Sequence, residues 1–137
     1  MKIIALKGHG GSGKTSSLIE LYNLLMNSSD YSEALPKQNI RNAGDFCSKF
    51  INNITKKEIA IYSEGDSPES VEQAIQKFDT LTEKDVLILA CRTKGRVLKV
   101  LEPYNPIYIK KSITYYDSDA QIYVNKSDAK IILKQII

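Results

Sequence analysis

Gly8-His9-Gly10-Gly11-Ser12-Gly13-Lys14-Thr15 decides how this sequence is read. Ile3-Ile4-Ala5-Leu6, just before it, is a continuous apolar run, the pattern of a strand buried on both faces of a parallel sheet. After it, Leu18, Leu21, Tyr22 and Leu25 fall at i, i+3, i+4 and i+7, which predicts an amphipathic helix from about Gly13 to Asn27. Between strand and helix, glycines let the backbone curl through positive φ so that successive N–H groups point inward. A helix opening at Gly13 adds its free N–H groups and the positive end of its dipole. The spacing therefore suits a compact polyanion such as a phosphate chain. Lys14 is placed to reach its outer oxygens, and the Thr15 hydroxyl to ligate an accompanying Mg²⁺. His9 stands at a position the spacing leaves open and receives no catalytic role.

Outward from the loop, strands and helices alternate. Asp45 to Ile51 and Glu58 to Tyr62 are β-rich runs joined by a polar hexapeptide, which predicts a hairpin; a helix is the competing reading for Phe46 to Ile51. Ser67-Pro68 is a helix start, an N-cap followed by proline at the first helical position, and Val71, Ala74, Ile75 and Phe78 form that helix's stripe. Val86 to Ala90 is a second fully apolar strand. A short helix is expected from about Gly95 to before Pro103, a strand at Pro106 to Ile109, and a closing helix from Ser127. Ser28 to Gly44 reads as a long polar loop. The alternation predicts an α/β sandwich of three layers, with a mostly parallel sheet of about five strands. One antiparallel strand from the hairpin is expected at an edge. Loops after parallel strands share one rim, so Gly8–Thr15, Ser63–Ser67 and Arg92–Gly95 are expected together.

Bulk properties narrow the class. The 137 residues make one domain, 1–137, long enough for a single core. A net charge of +3 without a dense basic run gives no indication of nucleic acid. Cys47 and Cys91 each sit in an apolar run and read as reduced core residues. Neither a signal peptide nor an apolar run of membrane-spanning length is found, so a cytoplasmic protein is expected.

The loop matches G-x-x-x-x-G-K-[ST] without a gap, and the chain resembles the P-loop NTPase superfamily. The resemblance implies binding of ATP, with GTP possible, together with Mg²⁺. It implies a nucleotide-contacting set of Gly8, Gly10, Gly11, Ser12, Gly13, Lys14, Thr15 and Ser16, with Lys14 also acting on the transferred phosphoryl group and Thr15 on the metal. It further implies a carboxylate at the end of an apolar strand. Here Ile59-Ala60-Ile61-Tyr62 is followed by Ser63 and then Glu64-Gly65-Asp66, a departure from the family's pattern. Asp66 is the first candidate for the Mg²⁺ shell, against a turn or cap residue. Glu64 is the candidate for positioning water, against a solvated loop acid. In Arg92-Thr93-Lys94-Gly95-Arg96, Arg92 is the candidate for stabilising phosphoryl charge, or for holding a small anionic second substrate.

Asn125-Lys126-Ser127-Asp128 matches N-K-x-D, the guanine-reading motif of small GTPases, and follows the apolar Ile122-Tyr123-Val124. The D-x-x-G companion is missing, and too little chain follows to complete a guanine pocket. Four functions are thus expected in turn: ATP binding with hydrolysis, a small-molecule or nucleotide kinase, a non-catalytic nucleotide-gated interaction module, and a GTPase-like switch. The family's habit of completing sites in trans adds a homo-oligomer as an expected partner.

Overall fold

The computed structural model describes residues 1–41 and 44–137. In chain order the elements are β1 (Lys2–Lys7), α1 (Lys14–Met26), β2 (Tyr31–Asn39), β3 (Phe46–Asn52), β4 (Glu58–Tyr62), α2 (Pro68–Lys77), β5 (Val86–Cys91), α3 (Arg96–Leu101), β6 (Ile107–Lys110) and α4 (Ser118–Ile136). They form an α/β structure around one six-stranded mixed sheet, ordered β2-β3-β4-β5-β1-β6. Strands β4, β5, β1 and β6 are parallel, and β3 runs against both of its neighbours.

The continuous apolar strands are buried on both faces, as their composition requires. In β1, Ile4 and Leu6 pack toward α1 and α4, whereas Ile3 and Ala5 pack toward α2 and α3. The helix α1 buries Leu18, Leu21 and Leu25 completely, and each contributes about 1.5–3 kcal/mol of transfer free energy. Ser67 caps α2, its hydroxyl accepting from the Ser70 N–H at 3.1 Å with Pro68 beginning the helix. Asp85 fastens the start of β5 to β4, accepting the Glu58 and Thr82 N–H groups at 2.8 Å each. Burial alone would raise its pKa, but these hydrogen bonds hold the carboxyl below its ordinary value. Cys47 and Cys91 are buried, as expected, and burial pushes both thiols up, Cys91 to about 11.

Three expectations need correction. The stretch Ser28–Gly44 is not a loop throughout, because Tyr31–Asn39 forms a sixth strand at the sheet edge; its part at 42–43 lies outside the described residues. Pro36 and the polar side chains hide the strand in the sequence, and an edge tolerates both. Register shifts around Leu35 let Tyr31 pack on one face of the sheet and Leu35 on the other. Tyr22 of α1 secures this edge by donating to Glu33 at 2.5 Å; burial and that hydrogen bond push the phenol up to about 12. Second, the antiparallel strand is β3, inside the sheet rather than at its edge. Third, the closing helix begins at Ser118, capped by Asp117, whose carboxylate accepts the Ala120 N–H at 3.0 Å. Ile122-Tyr123-Val124 is therefore helical, with Ile122 and Tyr123 exposed, so its apolar residues mark no buried stripe.

Candidate functional site

The connection leaving β1 runs through α1 on one face of the sheet, and that leaving its neighbour β5 runs through α3 on the other. Adjacent parallel strands whose connections part in this way leave a crevice at their carboxyl ends. The glycine loop fills it. Gly13 has φ 93°, a left-handed conformation that turns the chain from the loop into α1. Lys14 is 7% exposed, and its ammonium donates to the Gly8 carbonyl at 2.7 Å and the His9 carbonyl at 3.0 Å. Burial lowers its pKa; Asp66, 3.8 Å away, opposes that and Arg92 adds to it. The Ser12 hydroxyl is sheltered and has no hydrogen-bond partner among the described residues.

Two further loops meet this one. A Cβ on Gly65 would lie 1.5 Å from the Ala90 carbonyl oxygen, so only glycine lets the loop after β4 lie against the end of β5. That contact sets Asp66 beside Arg92, whose Nε donates to Asp66 Oδ1 at 3.1 Å. The Arg92 guanidinium in turn lies over the glycine loop, where a Cβ on Gly10 would come within 3.0 Å of it. The three rim segments expected together from the sequence are together: Lys14, Asp66 and Arg92 form one alternating charge cluster.

Glu64 is mostly buried. Its Oε1 accepts from Arg41 at 2.9 Å and from the Ser70 hydroxyl at 3.2 Å, while Oε2 is buried without a partner among the described residues. Glu64 and Asp66 line a cleft of about 320 Å³ with Lys14, Thr15, Ser16 and Asp45.

Asp45 is the residue that sequence reasoning passed over. Its Oδ1 accepts from the Thr15 hydroxyl and from the Ser63 hydroxyl, each at 3.0 Å. Ser63 is itself fixed by accepting the Phe46 N–H at 2.8 Å. The register that pairs Ile51 with Glu58 and Cys47 with Tyr62, continued past the strand ends, carries Asp45 to the tip of β4. Counting outward from the hairpin turn could have found it.

On the other flank of the loop lies a second cleft, of about 300 Å³, lined by His9, Gly13, Ser16, Tyr115, Gln121 and Asn125. Of the N-K-x-D residues only Asn125 lines it, and the four are arranged unlike the motif suggests. They sit within α4 rather than after a strand. Asp128 is fully buried, and its Oδ2 pairs with Lys111 at 2.9 Å and accepts the Ser112 N–H at 3.1 Å. Asn125 accepts a hydrogen bond from the Ser17 hydroxyl at 3.3 Å. These two acceptors tie α4 to the loop after β6 and to α1, and the Asp128 carboxylate is closed off from solvent.

The side chains around Thr15 are its own hydroxyl and the carboxylates of Asp45, Glu64 and Asp66, all hard oxygen donors. Among the described residues no helix is long and apolar enough to cross a membrane. No protein-family model matches this chain, and no curated protein matches it.

Proposed function

We propose that the chain is a P-loop NTPase: it binds ATP with Mg²⁺ through Gly8–Thr15 and hydrolyses it to ADP and phosphate. The observation that carries this reading is the joint placement of the G-x-x-x-x-G-K-T loop at the carboxyl end of β1, Lys14 buried within it, and the carboxylates of the neighbouring cleft beside Thr15. Among the described residues, buried Lys14 is matched only by the neutral carbonyls of Gly8 and His9 and by Asp66 at longer range. Phosphate oxygens would supply stronger, charge-assisted acceptors. The N–H groups of residues 11–15 and the Ser12 hydroxyl would hold the phosphate chain. Bound Mg²⁺ would neutralise charge on the outer phosphates.

Hydrolysis needs a water aligned with the bond between the γ-phosphorus and the leaving oxygen of ADP. Glu64 supports that role with Oε2, which has no hydrogen-bond partner among the described residues, and Arg92 would balance charge on the phosphoryl oxygens. The cleft beside Asn125 and Tyr115 would take the nucleoside end. Enclosure of Asp128 favours ATP over a guanine-reading GTPase.

The test is a thermal-shift and phosphate-release panel over ATP and GTP with Mg²⁺, run beside Lys14→Ala. Stabilisation and phosphate release by the natural chain, both lost in Lys14→Ala, are expected. Binding without release would leave a nucleotide-gated module. Absence of binding would reject the proposal.

A further inference from the structure

We propose that Asp45 is the residue that positions the divalent cation, replacing the acid that the tip of β4 lacks. The inference rests on the nucleotide reading above and concerns which side chain serves its metal.

The position after β4 is Ser63, a neutral side chain. It can supply no charge, and both of its hydrogen-bonding roles are visible: it accepts from Phe46 N–H and donates to Asp45. Asp66 lies nearby but is engaged by Arg92 at 3.1 Å and faces Lys14 at 3.8 Å, with 58% of its side chain exposed. Its charge is balanced by cations already present. Asp45 differs on each point. Among the described residues no lysine or arginine forms an ion pair with it, and its Oδ1 meets only hydroxyl donors.

The direction of the Thr15 bond matters. Thr15 donates its proton to Asp45, which leaves the oxygen's lone pairs available to a cation and makes that oxygen a better donor. Thr15 thus has its hydroxyl oriented before any ligand arrives, with an unneutralised carboxylate behind it. Mg²⁺ is ordinarily held by one or two carboxylates, phosphate oxygens and retained waters, and this arrangement provides the protein's share. Asp45 acts through Thr15 and the metal's waters, and Ser63 holds Asp45.

ATP affinity of the intact chain is to be measured by calorimetry in EDTA and in Mg²⁺, with binding of Mn²⁺ in the presence of ATP followed by electron paramagnetic resonance. Asp45→Asn is expected to bind ATP in EDTA like the natural chain while its Mn²⁺ affinity with ATP falls by about 10- to 100-fold. Asp66→Asn is expected to keep the metal response. Ser63→Ala, which keeps the charge but frees it, is expected to give a smaller loss in the same direction. This second variant reads the same contact if Asp45→Asn fails to fold. Unchanged metal affinity in Asp45→Asn, or its loss in Asp66→Asn instead, would overturn the assignment while leaving ATP binding intact. If the natural chain binds no ATP in either buffer, the nucleotide reading falls and this assignment with it.

Discussion

Asp128 and Asp45 flank the same glycine loop and could hardly be placed more differently. Asp128 projects from α4 into a buried space where it and Lys111 are 0% and 1% exposed in their side chains, with their charges 2.9 Å apart. Asp45 stands at the entry to β3, partly exposed, and its Oδ1 answers two hydroxyls. The comparison teaches that a carboxylate's neighbours decide its use. A charge neutralised inside the protein becomes a clasp, joining α4 to the loop after β6. A charge met only by neutral donors stays available to a cation. The motif-bearing aspartate is the clasp, and the one without a motif is the candidate for chemistry.

The largest effect is expected from breaking the clasp. Asp128→Ala strands the Lys111 ammonium in a buried site and should cost about 3–5 kcal/mol in urea denaturation. The double change Lys111→Met with Asp128→Leu should recover most of that loss, because no uncompensated charge remains. A loss below about 1 kcal/mol in Asp128→Ala would erase the contrast between the two aspartates.

An intermediate effect sharpens the comparison. Asp85 is buried like Asp128 yet held by neutral N–H and hydroxyl donors like Asp45. Asp85→Ala should cost about 1–3 kcal/mol, since it strands the Glu58 and Thr82 donors. Its carboxyl titrates below the unfolded value, so the stabilisation is present above the unfolded pKa and disappears as pH falls through the lowered folded pKa. The natural chain should therefore lose stability in acid more steeply than Asp85→Asn, as thermal unfolding against pH would show. Parallel curves would deny the linkage.

A smaller change is expected for Asp45→Asn, which keeps the hydroxyls partnered and should stay within about 1 kcal/mol of the natural chain. A loss as large as that of Asp128→Ala would make Asp45 a structural residue. The smallest is Asp66→Asn. Its bond to Arg92 is exposed, and exposed pairs contribute about 0–1 kcal/mol, so the melting temperature should barely move.

Legibility in the sequence followed burial. Strands β1, β4 and β5 and helices α1 and α2 were readable because one physical signal, an apolar run or a helical stripe, coincided with punctuation by Gly13 or Ser67-Pro68. The edge strand β2 was not, since only part of it packs on the core and Pro36 interrupts it. The start of α4 escaped because Ile122 and Tyr123 face outward, so their apolar character belongs to no buried stripe. At the candidate site, Lys14, Glu64, Asp66 and Arg92 were legible from the loop spacing and the shared rim. Asp45 was not, because its place depends on the β3–β4 register rather than on any local pattern.

Equilibrium binding of ATP, ADP and AMP to the intact chain in Mg²⁺ tests the central claim most directly. If the loop and Lys14 grip the outer phosphates as proposed, ATP and ADP should bind, AMP should fail to compete, and Lys14→Ala should abolish binding. AMP binding as tightly as ATP, an unaffected Lys14→Ala, or no binding of any of the three would contradict the account.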